Sequence, residues 1–164
     1  QFNNITVIGT EGILNSVLKK NFINYKPSFI IMNECGNSGC EPVVKLLGCT
    51  DVPTNNQTAL KIAVSRQPVS VAIEADTKIF EFYTGGIITS AECGTTLDHG
   101  VLIVGYGSEN GVDYWLLKNS WGTSWGENGY FRIKRDDLDY GPGICGIASS
   151  ASYPVLSNDM FQIH

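Results

Sequence analysis

The sequence predicts an α+β fold, a small helical part followed by an antiparallel, barrel-like sheet. Helical spacing of apolar residues occurs only before Pro68. Strand-type runs follow one another after it, and glycine-bearing turns separate those runs. At 164 residues with 43% hydrophobic side chains, the chain suits one domain, or one and a half, with an ordinary core.

In chain order, ITVIG at 5–9 is rich in β-branched residues and reads as a strand or as the start of the next helix. Propensity favours the strand, and local pattern alone does not decide. Ile13, Leu14, Val17 and Leu18 lie on one face of a helix, with Glu11 near its start and Lys19 and Lys20 near its end, as the helix dipole prefers. A second helix follows Thr54, which forms a capping box with Gln57. Ala59, Leu60, Ala63 and Val64 make its apolar stripe, and Pro68 ends it. Next come VSVAI at 69–73, which alternates, and VLIVGYG at 101–107, a buried run. DYWLLKNSW and GYFRIKR are rich in aromatic and branched residues. SENG at 108–111 and WGENG at 125–129 are the turns between them.

Bulk properties exclude several classes. The net charge is −5 and no basic cluster exists, which argues against nucleic acid as a partner. No apolar run approaches the ~20 residues of a membrane helix. The opening QFNNITVIGT lacks Met, a basic start and an apolar block, so no signal peptide is visible and the chain reads as processed or incomplete. Cysteines stand at 35, 40, 49, 93 and 145, an odd number that leaves a thiol free or paired elsewhere. Cys35 and Cys40 have no second Cys or His pair near them, so no metal site is expected and no cofactor is implied. Two N-x-T sequons, at Asn4 and Asn56, fit a secretory route.

His99 stands at the mouth of the VLIVGYG strand, and the other histidine is His164. The hairpin implied by SENG brings Asn119 back to about the height of His99. An amide oxygen accepting from one imidazole nitrogen fixes the ring and its tautomer and leaves the other nitrogen to take a proton. Trp121 is positioned to lie over that bond and keep water from it. Singly, each residue has a plainer explanation: a structural histidine, a turn asparagine, a core tryptophan. Their order and spacing together point to nucleophilic catalysis.

On these residues the sequence resembles the papain-like cysteine peptidases, over roughly residues 50–155. DVPTNNQTALKIAVSRQPVSVAIEA, LDHGVLIVGYG, DYWLLKNSWGTSWGENGYFRIKR and GICGIASSASYPV carry the resemblance. It implies an incomplete papain-like fold: 1–48 a remnant of the helical left-hand domain, 49–164 the β-rich right-hand domain. By the same resemblance His99 is the catalytic histidine, Asn119 its orienting residue and Trp121 the shield. Cys93 and Cys145 match a disulfide pair. Ala72, Leu97 and Ser150 match a small apolar pocket for the second residue on the acyl side of the scissile bond. In the family a cysteine thiolate attacks the peptide carbonyl and the imidazolium protonates the leaving amine.

The family's nucleophile loop, C-G-[SA]-C-[WY], has no match here. ECGNSGC at 34–40 has the wrong spacing. IGTEGILNSVLKKNF resembles the back half of the family's central helix, which places Gln1 where the nucleophile stands, Phe2 at a tryptophan position, and makes ITVIG helical. Gln1 is 98 positions from His99, some 30–50 fewer than the family's separation of about 130–150. The missing part falls between Cys40 and Asp51, so Cys35, Cys40 and Cys49 lose their usual partners.

The resemblance implies a cysteine-type endopeptidase whose present chain lacks its nucleophile and is inactive alone. The alternative is a non-catalytic homologue that binds peptides, a propeptide or a protein partner; a small-molecule or metal-binding β domain ranks third. Implied partners are peptide or protein substrates and an inhibitory propeptide, with no nucleic acid, membrane or metal. The implied location is lysosome, vacuole or outside the cell.

Overall fold

The computed structural model describes residues 5–7 and 46–156, with backbone alone at 5–7, 46 and 156. The helix expected over 13–18, Cys35, Cys40, Gln1, Phe2 and Asn4 lie outside the described residues. The described residues fall into two compact units, one holding 5–7 and 50–153, the other 46–49 and 154–156.

Eight strands and two helices are described: β1 (Ile5–Val7), β2 (Leu46–Asp51), α1 (Gln57–Val64), β3 (Val69–Ile73), α2 (Lys78–Glu81), β4 (Ile87–Ile88), β5 (His99–Glu109), β6 (Val112–Lys118), β7 (Tyr130–Lys134) and β8 (Ala151–Leu156), with a 3₁₀ turn at Ile144–Gly146. The strands form one sheet in the order β2-β8-β3-β5-β6-β7-β4. Its β3–β8, β3–β5, β5–β6 and β6–β7 pairings are antiparallel, and β4 lies parallel to β7. β3 covers the first half of β5, and β1 pairs farther along it, Thr6 opposite Tyr106. Ile5–Val7 is therefore strand, as propensity favours, and not the helix implied by the central-helix alignment.

The β5–β6 hairpin is the one SENG predicts. Glu109 pairs with Val112, so Asn110-Gly111 is a two-residue turn. Both residues have positive φ, 52° and 78°, which asparagine and glycine tolerate best. β5 is not buried throughout: Val101 and Ile103 face the core while Leu102 and Val104 are half-buried. Only one of its faces is covered by the core, so burial alternates along the strand. The core gathers Leu60 and Val64 from α1, Val69, Val71 and Ile73 from β3, Phe80 from α2, and Trp115, Leu117, Phe131 and Ile133 from β6 and β7.

The α1 cap differs from the sequence expectation. The N-cap is Asn56, whose Oδ1 accepts from the Ala59 N–H at 2.7 Å. Thr54 and Gln57 form no capping box, because Gln57 turns inward. It is 1% exposed, and its Oε1 accepts from Trp115 Nε1–H at 3.3 Å.

Candidate functional site

His99 is the first residue of β5 and sits opposite Ile73, the last residue of β3. Asn119 directly follows β6. A bulge between Ile103 and Gly105 shifts the β5–β6 register by one residue, and Leu102 then pairs with Lys118. This brings Asn119 to the level of the start of β5. His99 Nε2 and Asn119 Oδ1 are 2.9 Å apart. The backbone N–H of Ser120 also donates to that Oδ1, at 2.8 Å. The Ser120 N–H can only donate, which identifies the atom as the carbonyl oxygen, and a carbonyl oxygen accepts from the imidazole only when Nε2 carries the proton. Nδ1 is left as the nitrogen able to accept one. Asn119 is 7% exposed, and its Nδ2 is buried with no partner among the described residues.

An aromatic stack stands beside this pair. The Trp121 ring lies 5.0 Å from the imidazole at an interplanar angle of 33°, and Trp125 meets Trp121 edge-on at 5.0 Å. Trp125 is held by Phe80, whose carbonyl accepts its Nε1–H at 3.0 Å, and by the rings of Phe131 and Tyr83. The loop between β6 and β7 closes tightly around it. Gly126 has φ +56°, and a Cβ there would meet the Tyr130 carbonyl oxygen at 2.7 Å. Only glycine fits both the backbone conformation and the space.

His99, Trp121 and Trp125 line an open cleft of about 680 Å³, together with Asp98, Ala75 and Glu81. Asp98 was not among the residues singled out from sequence. Its carboxylate accepts from the backbone N–H groups of Ala75 (2.8 Å) and Asp76 (3.2 Å), tying the loop after β3 to the start of β5. An acidic residue directly before His99 was the available signal.

Ala72, Leu97 and Ser150 are not among the residues that line this cleft. The Ala72 N–H donates to the Ser150 carbonyl at 3.0 Å, and Ala72 is paired with Gly100 beside His99. Leu97, 36% exposed, lies against Gly146. Ala72 is half-buried and Ser150 exposed. Cys93 and Cys145 are joined as a disulfide, Cα–Cα 5.0 Å, which ties the loop before β5 to the 3₁₀ turn. Glu74 supports the same loop, accepting from the Thr96 N–H. Cys49 is exposed and free.

A chemically separate network lies behind the stack. Arg132 pairs with Glu127 at 2.6 Å and Glu109 at 3.0 Å. Tyr83 donates to the Gly86 carbonyl at 2.6 Å, and burial pushes its hydroxyl up to about 12, the Glu127 charge adding to the effect. Among the described residues no three His, Cys, Asp or Glu side chains are grouped to hold a metal ion.

The model of the family described as "Papain family cysteine protease" matches residues 10–155. The chain belongs to the papain family of cysteine proteases. Its similarity to curated plant members is high. It is 60% identical to the germination-specific cysteine protease 1 of Arabidopsis thaliana over 113 residues, 69% of this chain and 30% of that protein. It is 50% identical to the cysteine proteinase COT44 of Brassica napus over 147 residues, 90% of this chain and 38% of that protein. The chain thus spans about a third of the length of these papain-family relatives. Among solved structures it resembles the bromelain protease of Ananas comosus bound to the E64 inhibitor, with TM-score 0.72 and 41% identity over 82% of this chain and 60% of that one. It also resembles the ragweed pollen cysteine protease Amb a 11 in its proform, with TM-score 0.71 and 38% identity over 76% of this chain and 38% of that one. The chain is an incomplete papain-like α+β fold.

Proposed function

We propose that residues 49–164 are the histidine-bearing, β-rich half of a cysteine-type endopeptidase and that 1–48 derive from its helical half. The observation that carries this reading is the 2.9 Å contact between His99 Nε2 and Asn119 Oδ1 under the Trp121 ring. Held by Asn119, His99 keeps Nδ1 for exchange with a thiol. Nδ1 takes the thiol proton, the thiolate attacks a peptide carbonyl, and the imidazolium gives the proton to the departing amine. Water then attacks the thioester with His99 again as base. Trp121 keeps bulk water off the His99–Asn119 bond, where it would compete for the same donor.

The substrate in this reading is a peptide or protein laid across the strand ends. Ala72, Leu97 and Ser150 take a hydrophobic side chain on the acyl side, and the cleft beside Trp121 takes the leaving side. A propeptide laid along the same surface would inhibit, as suits a family with members solved in the proform. A vacuolar, lysosomal or extracellular location accords with the disulfide.

No cysteine of the sequence stands in a C-G-[SA]-C-[WY] context. Residues 1–164 by themselves therefore lack the thiolate in this reading; the second reading is a homologue that binds peptides without cleaving them. The test uses the polypeptide containing residues 1–164 as isolated from its source, and the same polypeptide made recombinantly. Thiol-dependent hydrolysis of a peptide amide, abolished by His99→Ala, is expected where that polypeptide also carries a cysteine in the nucleophile-loop context, and none from residues 1–164 alone. Peptide binding with no cleavage would favour the non-catalytic homologue.

A further inference from the structure

We propose that Asn56 is an N-glycosylation site, accepting an oligosaccharide from a lipid-linked pyrophosphate donor; this rests on the secretory location proposed above. The sequon is Asn56-Gln57-Thr58, at the start of α1. Asn56 uses its two amide atoms differently. Oδ1 caps the helix by accepting from the Ala59 N–H at 2.7 Å. Nδ2 has no hydrogen-bond partner among the described residues, and it is not shut off from solvent in this half-buried residue.

Nδ2 is the atom that the transfer modifies. It bonds to the anomeric carbon, the bond from that carbon to the pyrophosphate oxygen breaks, and the lipid pyrophosphate leaves as an anion. One amide proton is lost and the other stays. Oδ1 remains a carbonyl acceptor, so the glycosylated residue keeps the cap, which is the part that stabilises α1. The neighbouring Asn55 is committed inward: its N–H donates to the Ala148 carbonyl at 2.7 Å and its Oδ1 accepts from Ser149 Oγ at 3.2 Å. Of the two adjacent asparagines, only Asn56 lies within a sequon.

Position also favours a sugar here. Gln57 bonds Trp115, and Trp115 pairs with Tyr106, so the helix start lies near the hairpin end of β5. Tyr106 is seven residues along the strand from His99, about 20 Å at strand spacing. A glycan at Asn56 is rooted at the start of α1, outside the residues that line the cleft beside His99. It also stands next to Leu138, an apolar side chain 40% exposed whose carbonyl accepts the Gln57 N–H at 2.8 Å.

The test is to express the chain behind a cleavable secretion signal in insect cells and purify it from the medium. Digestion with peptide-N-glycanase in heavy-oxygen water then marks each glycosylated asparagine as a labelled aspartate, and peptide mapping separates Asn56 from Asn4. Label at Asn56 is expected, with loss of that label in Thr58→Ala, which leaves the Asn56 cap in place. Secreted chain without label at Asn56 overturns the proposal, and the wild-type map decides this even if Thr58→Ala is not recovered. Failure of the secretory reading shows separately, as free Cys93 and Cys145 thiols in the protein taken from its source.

Discussion

Tyr83 shows how single residues behind the stack respond to pH. Its hydroxyl ordinarily ionises near 10.0, and burial moves it to about 12 in the fold. The native state therefore holds a proton that the unfolded chain releases. The resulting stability is complete below pH 10 and is lost as pH rises from 10 towards 12. Replacing Tyr83 by Phe removes this group from the balance. Urea midpoints measured across that range are expected to fall less steeply for Tyr83→Phe than for the wild type; equal slopes would contradict the assignment. Asp98 belongs to the same scale. An acid beside a histidine is an unremarkable pair in a sequence, and its part emerged only once β3 folded back to offer the Ala75 and Asp76 N–H groups.

Between elements, the disulfide and the hairpin do different work. Cys93–Cys145 closes a chain separation of 52 residues and holds the loop before β5 against the 3₁₀ turn. Replacing both cysteines by serine is expected to lower unfolding free energy by about 2–4 kcal/mol. A denaturant midpoint unchanged from the wild type would show that the backbone bonds of this loop suffice without the link. The hairpin was legible because Asn110-Gly111 is one of few pairs that accept positive φ twice running. The α1 cap was not, because Thr54, Asn55 and Asn56 are three cap-competent residues in a row. The choice among them is tertiary: Asn55 is drawn to Ala148 and Ser149, and Gln57 to Leu138 and Trp115, which leaves Asn56 at the cap. The parallel β4–β7 pairing was equally silent, since two residues carry no period.

For the whole molecule, the strand blocks from Val69 to Lys134 were readable because each alternates or runs apolar between strong turns. The His99–Asn119 contact was readable because one hairpin connects the two residues. The cleft beside Trp121 was not, since it needs the loop after β3, the start of β5 and the β6–β7 loop at once. Residues 1–164 alone are expected to give no thiol-dependent peptide hydrolysis above background, a loss of about 10⁶-fold by analogy with removal of a serine nucleophile. A signal that His99→Ala abolishes in this isolated chain would mean that one of its five cysteines reaches the imidazole.

Every step of the proposed chemistry depends on His99 holding its proton on Nε2 and keeping Nδ1 for exchange. Nitrogen-15 NMR of the imidazole measures this directly. The expected spectrum has Nε2 protonated and Nδ1 bare, and Asn119→Ala moves it towards a mixture of tautomers. A ring protonated on Nδ1, or one whose tautomer ignores Asn119→Ala, would contradict the account.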